Sequence, residues 1–352
     1  MRTPRESNLE LLRLVAIFAI LASHYFYGTG IRAELTGKSL LVANCLASGS
    51  RISVNVFLLI GTWFMVDLPF SGYRPLRLYF TLAFFSIPIT AAMLFVNGNV
   101  CAQHILQGLL PLTCMATWYT NAYISLLLFS PFLHKVLELP KETLGKIVIL
   151  IVLLVCLPAS LPWMNAYEYV SDMLWFPCVY LIVGYLKHHT RVFQYGKTWW
   201  YALGAVAGYL AIAVLRSSSC QQIATTAELF RASIKSLPNF VIAFCVFVTF
   251  LRLRIGHVKW INFFARSVFS VYVIHQIPAV GDWQWKMIVR YLQPILGNAP
   301  NAIVVNCMVA CVSLFTLCIL LDRFRLIVVD FWLLKAKFVK NVAGWLEKVV
   351  SC

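Results

Sequence analysis

Two residues of the first apolar run, Arg13 and His24, are costly to place in a membrane and able to do chemistry there. Eleven residues separate them. On an α-helix that interval rises ~16 Å and turns ~1100°, about 20° past three full turns, so both project from one face. Glu10, three residues before Arg13, lies on nearly the same face and can pair with it. Ser7 and Glu10 form an S-x-x-E capping box, which sets the helix start near residue 7 or 8. A guanidinium near one membrane surface can hold a phosphate-bearing donor in bidentate fashion. A neutral imidazole deeper in a low-dielectric pocket can take the proton of a sugar hydroxyl as that hydroxyl attacks an acyl carbonyl. Spacing alone leaves a second reading open, in which Arg13 snorkels to the headgroups and His24 bonds a neighbouring helix.

Other candidates are fewer. Tyr272 and His275 stand at i, i+3 and share a face, and Gln276 extends the polar patch. Acceptor binding and an interhelical hydrogen bond are both open for His275. Trp118, Tyr119 and Asn121 open another run; their rings suit either a sugar face or the membrane interface. Arg51 can hold an acidic acceptor or snorkel. His188 and His189 are adjacent and point roughly 100° apart on a helix. His104, His134 and His257 fall in expected loops. No H-E-x-x-H, P-loop or dinucleotide fingerprint occurs, and no metal site is expected.

The elements that must position these residues follow from composition. The 352 residues are 61% hydrophobic and 12% charged, against about 25% charged in soluble domains. Mean hydropathy is +0.80. Lipid as solvent accommodates this if each segment satisfies its own backbone, which helices do. No alternating strand pattern of the barrel type is present. Apolar runs of spanning length fall near 9–28, 46–66, 78–97, 118–137, 145–163, 173–187, 199–216, 236–252, 264–281 and 301–321. The sixth is short, and the ninth is interrupted by Arg266, His275 and Pro278.

The net charge of +16 would suggest nucleic acid in a soluble protein. Here the basic residues cluster in short loops, so no nucleic-acid partner is expected. With both termini cytoplasmic, inner segments hold 20 Lys and Arg and outer segments 8, with Arg13 inside the first helix completing the 29. The basic N-terminus could pass for a signal peptide but reads as a retained first helix. Most of the eleven Cys sit inside apolar runs, Cys307, Cys311 and Cys318 at helical spacing, and read as small packing residues. From Arg323 to Cys352, Phe331, Trp332, Phe338 and Trp345 alternate with Lys335, Lys337, Lys340 and Lys348, the pattern of an amphipathic helix on an anionic inner leaflet.

The run from Asn8 to Ala16 followed by Ser23-His24 resembles the opening of the membrane-bound acyltransferase family 3, whose first helix carries a basic residue, ten residues and then a catalytic histidine. Glu10 stands where the family usually has Asp. The segment Val54–Phe64 resembles the family's second span, with its small pair reversed to Gly61-Thr62. Arg74-Pro-Leu-Arg77 matches an R-x-x-R in the following loop, Trp118-Tyr119 a tryptophan–aromatic span, and Tyr272 to His275 a late Tyr-x-x-His span. The similarity covers roughly residues 8–320. It implies an acyl-CoA donor, usually acetyl-CoA, bound from the cytoplasm, and transfer to a carbohydrate hydroxyl, free or lipid-linked, of a bacterial surface polysaccharide. His24 would be the general base and Arg13 would orient the donor, with Glu10 beside it. Arg74 and Arg77 would contact donor phosphates.

The expectation is therefore an all-α integral membrane protein of about ten transmembrane helices in the cell membrane. An acyltransferase-3-like domain would span 1–322 and a basic tail 323–352. A polysaccharide transporter, flippase or polymerase is the rival class. It would scatter ionisable residues through several central spans, whereas here the costly ones concentrate in the first and ninth.

Overall fold

The computed structural model describes residues 7–97, 101–114, 117–161, 171–297 and 299–350. Arg2 and Arg5, residues 162–163 of the fifth run and the last two residues of the tail lie outside them. The described residues form α-helices with no strand. In chain order these are α1 Ser7–Thr29, α2 Gly37–Ala47, α3 Gly49–Met65, α4 Tyr73–Asn97, α5 Ala102–Leu109, α6 Trp118–Leu137, α7 Lys141–Ile151 and α8 Asp172–His189. There follow α9 Thr198–Leu215, α10 Gln221–Ala232, α11 Leu237–Arg252, α12 Lys259–Ala265, α13 Val268–His275, α14 Gly281–Leu296, α15 Pro300–Arg325 and α16 Lys337–Val350.

Each of the ten apolar runs is largely helical. Among the described residues, six helical segments are long and apolar enough to cross a membrane, or seven if α10 and α11, bent by 56°, count as one broken span. The shortfall has local causes. Ring and polar side chains dilute α6 and α8, and the ninth run is split into α12 and α13 at Arg266-Ser267. Pro88, Pro131 and Pro177 sit inside α4, α6 and α8, as spanning helices tolerate when neighbours satisfy the freed backbone.

Two apolar clusters make the core. One is centred on α3, α8 and α11, with Leu58, Trp175 and Phe247; the other joins α1, α13 and α15 through Ile17, Val271 and Cys318. α1 feeds both, Leu12 and Ala16 into the first, Ile17 and Leu21 into the second, because its apolar residues encircle it. Phe57 and Tyr119 pack against both clusters and mark the seam between them. Polar side chains lock helices across the bundle. Asn55 donates to the Ile234 carbonyl at 2.7 Å and accepts from Trp175 Nε1 at 2.8 Å, and Ser23 donates to the Ala47 carbonyl at 2.9 Å.

The Ser7 side of the expected capping box does not hold. The Ser7 hydroxyl accepts from the Val258 amide at 2.7 Å and the Ser7 amide donates to Gly256 at 2.8 Å. Ser7 thus ties the start of α1 to the segment entering α12, where tertiary partners outcompete local capping.

The tail forms α16, with Val339 and Ala343 buried and Phe338, Trp345 and Val349 exposed. Glu347 accepts from the Gly72 amide at 2.9 Å, docking α16 on the turn before α4. A Cβ on Gly72 would collide with the Ala343 backbone, so that docking needs glycine.

Candidate active site

α1 runs unbroken from Ser7 to Thr29 and carries Arg13 and His24 into the interior on the face that spacing required. Arg13 donates to Glu10 at 2.8 Å, one turn away. Both line a cavity of about 350 Å³, within the size range of small-molecule sites. Its Arg13 end is cationic: Arg77 of α4, Arg266 from the break before α13 and Arg325 of α15 join Arg13 in the wall. Its deeper part is aromatic, with Phe57, Tyr119, Tyr123 and Tyr272. Ile20, one turn before His24 on α1, lines the deep end.

Beyond Ile20 the two candidate histidines meet. His24 Nδ1 lies 2.9 Å from His275 Nε2, with ring centroids 5.1 Å apart. His275, only 1% exposed, approaches the Val271 carbonyl with its Nδ1 at 2.7 Å. A carbonyl can only accept, so that nitrogen carries the proton. In a neutral ring the remaining nitrogen, Nε2, is then an acceptor, and His24 must donate to it through Nδ1–H. His24 Nε2 is left with its lone pair. Gln276 Nε2 lies 3.0 Å from His24 Nδ1; a proton on that ring nitrogen requires the amide to turn its oxygen to the ring instead. Gln284 donates to the His275 carbonyl at 2.8 Å and fixes the end of α13.

The remaining candidates form a chain of ring contacts leading to this pair. Tyr272 and His275 rings are 5.9 Å apart, Tyr119 and Tyr272 5.3 Å, and Trp118 and Tyr119 6.0 Å. The Arg51 guanidinium lies 5.6 Å from the Trp118 ring and pairs with Asp172 at 3.5 Å. The Tyr272 hydroxyl is buried and makes no hydrogen bond with the described residues. The structure thus brings together Arg51, Trp118, Tyr119, Tyr272, His275 and His24. Of these only Tyr119 and Tyr272 line the cavity, as do Arg13, Glu10 and Arg77; His24, His275, Trp118 and Arg51 lie outside its wall. Arg77 is ion-paired with Asp330, and Arg74, one turn earlier on α4, is not in the cavity wall.

Sequence reasoning missed several wall residues. Arg266 had been noted only as an interruption of the ninth run; a charge there, nine residues before His275, was a usable signal. Arg325 had been grouped with the basic tail but ends α15, 3% exposed. It bonds Asp322 at 2.8 Å and Asp330 at 2.8 Å. Asp322 also accepts from Ser270 of α13 at 2.5 Å. This network, including Arg77 on Asp330, ties α4, α13 and α15 at the cationic end.

A helical bundle enclosing a cavity with a basic end, with a histidine pair just beyond its wall, suits an intramembrane group-transfer enzyme. The family model described as an acyltransferase domain, Acyl_transf_3, matches residues 6–323, and the chain belongs to this family of membrane acyltransferases. No curated protein and no solved structure matches the chain.

Proposed function

We propose that this protein transfers an acyl group, acetyl in the first instance, from acyl-CoA to a hydroxyl of a cell-surface or exopolysaccharide sugar. The observation that carries this reading is the orientation of His24, whose Nδ1 proton is committed to His275 and whose Nε2 lone pair is thereby held ready as a base. The acceptor oxygen bonds to the thioester carbonyl carbon while its proton passes to His24 Nε2. The C–S bond then breaks, and the departing CoA thiolate recovers that proton. The Tyr272 hydroxyl, buried in the cavity wall with its proton uncommitted among the described residues, is a donor for the oxyanion formed between the two steps.

Arg13, Arg77, Arg266 and Arg325 outnumber Glu10, Asp322 and Asp330 beside them and leave a net positive charge for the phosphates of CoA, and the aromatic part of the wall suits the pantetheine arm and thioester. Trp118 and Arg51 lie on the acceptor's side of the histidine pair. In this reading the chain crosses the cell membrane ten times with both termini cytoplasmic. The cationic end of the cavity then opens to cytoplasmic acyl-CoA, and α16 lies on the inner leaflet with its lysines toward anionic lipid.

The test is purified full-length protein incubated with radiolabelled acetyl-CoA. The wild type should bind it and hydrolyse it slowly with water as surrogate acceptor, and His24→Ala should lose the hydrolysis. A wild type that neither binds nor hydrolyses acetyl-CoA overturns the assignment.

A further inference from the structure

One turn beyond His24 on α1, Tyr27 enters a polar cluster that the transfer chemistry leaves unused. Glu228 of α10 accepts from Arg216 Nε at 2.7 Å, pairs with Arg231 at 2.6 Å and lies 3.7 Å from Arg32. The Tyr27 hydroxyl donates to Glu228 at 3.1 Å and accepts from Arg216 at 2.6 Å, while Arg231 stands over its ring at 4.7 Å. The Arg216 side chain has no solvent exposure and also donates to the Ser48 hydroxyl at 2.7 Å. Among the described residues, three guanidiniums therefore share one carboxylate. Positive charge in excess of its counter-ions at the end of a spanning helix is costly, and it is stabilised when an anion completes the site.

The cluster continues into a groove. Arg32 Nε donates to Asn44 Oδ1 at 2.7 Å, and Asn44 donates to Ser217 Oγ at 2.8 Å. Ser217 lines a shallow groove of about 570 Å³ between α2 and α9, with Lys38 and Ser218 at its polar part. Leu41, Val214 and Leu215 line the remainder and are exposed. A cationic end joined to an exposed apolar groove is complementary to an amphiphile with a phosphate head and a hydrocarbon tail.

We infer that Tyr27, Arg32 and Arg231, with Lys38, form the headgroup site for a lipid phosphate that carries the acceptor sugar, with the buried Arg216 holding Tyr27 and Glu228 in place behind them. The inference rests on the transferase reading and narrows its acceptor class. Three residues of helix rise ~4.5 Å, so a phosphate at the Tyr27 level places the sugar attached to it within reach of His24. A polysaccharide free of lipid would have no use for this groove.

The test uses the full-length protein in neutral phosphatidylcholine nanodiscs. Farnesyl pyrophosphate is the probe, farnesol and inorganic pyrophosphate are the controls, and binding is read by native mass spectrometry. Farnesyl pyrophosphate should bind at least about tenfold more tightly than either control. Arg32→Gln and Arg231→Gln should each weaken it about tenfold, while Arg231→Lys keeps most of the affinity. Equal binding of farnesol removes the charged site, and equal binding of inorganic pyrophosphate removes the groove. Equal competition by phosphatidylglycerol marks an ordinary annular headgroup position; each of these results overturns the proposal. Acetyl-CoA hydrolysis by the same wild-type sample keeps the two readings apart. Hydrolysis without selective binding sinks the lipid site alone, and absent hydrolysis sinks the transferase reading whatever the probe does.

Discussion

His275 Nε2 accepts the Nδ1 proton of His24 at 2.9 Å, joining two rings that lie 251 residues apart in the chain. The acceptor role of His275 is itself dictated by the Val271 carbonyl, which claims its other nitrogen at 2.7 Å. One backbone oxygen thus sets the tautomer of two rings in series. His275 is a positioning residue in this arrangement.

His275→Ala should slow acetyl-CoA hydrolysis about 10²-fold with little change in KM, because His24 then divides between tautomers and orientations. His275→Gln should recover a good part of the loss, since its amide oxygen can accept the same proton. His24→Ala should lose about 10²–10⁴-fold and gain nothing from a glutamine at 275. Steady-state kinetics of the wild type and these four variants checks this, and a glutamine variant as slow as the alanine one removes the positioning role.

The cationic end of the cavity makes a separate claim about the donor. Arg266 is exposed and lines the wall beside Arg13. Arg266→Gln should raise KM for acetyl-CoA about tenfold at low salt and leave kcat nearly unchanged, because a phosphate contact is made equally in ground and transition states. Acetyl-pantetheine, which lacks the nucleotide phosphates, should be a poor donor for the wild type and no poorer for the variant. A KM effect of equal size on both donors would place Arg266 outside phosphate recognition.

Periodicity made one half of this site legible. Arg13 and His24 share a helix, and eleven residues at a fixed pitch determine where both point. The aromatic residues and His275 were visible as candidates but not as partners, because tertiary packing joins them and no local spacing encodes which helices touch. Local rules also misled where partners came from afar. The Ser7 hydroxyl looked like a cap and went to Val258 instead, and Arg325 looked like tail charge but is held inside by Asp322 and Asp330. The helical class was legible from composition, since lipid leaves few alternatives.

Asp67, in the turn after α3, accepts from Lys187 and His188 at the end of α8. Burial alone would raise its carboxyl, but these two partners outweigh that and hold it below the usual carboxylate range. A depressed folded value stabilises the protein above the unfolded value of about 3.9, and the contribution disappears as pH falls through the lower folded value. Asp67 is about half exposed, so the effect should stay under about 1 kcal/mol. Thermal melts in detergent should show Asp67→Asn lowering Tm at pH 7 and converging with the wild type as pH falls below the folded value of the carboxyl. A constant gap across that range would assign the loss to packing.

Gly61 is the last test of the cavity, and it concerns space. It lines the wall where α3 faces Tyr123 of α6, and a Cβ there would collide with the Tyr123 hydroxyl and come within 2.9 Å of a ring carbon. Tyr123 stacks on Tyr119 at 5.9 Å, which in turn meets Tyr272, so the ring has little freedom to retreat except into the cavity. Gly61→Ala should therefore weaken acetyl-CoA binding about tenfold while circular dichroism stays unchanged. Tyr123→Phe in the same chain removes the atom in collision and should restore part of the affinity, though the ring carbons still crowd the methyl group. Isothermal titration of the single and double variants decides it. If the alanine variant binds as the wild type does, the cavity is wider than its walls imply and the donor does not pass between α3 and α6.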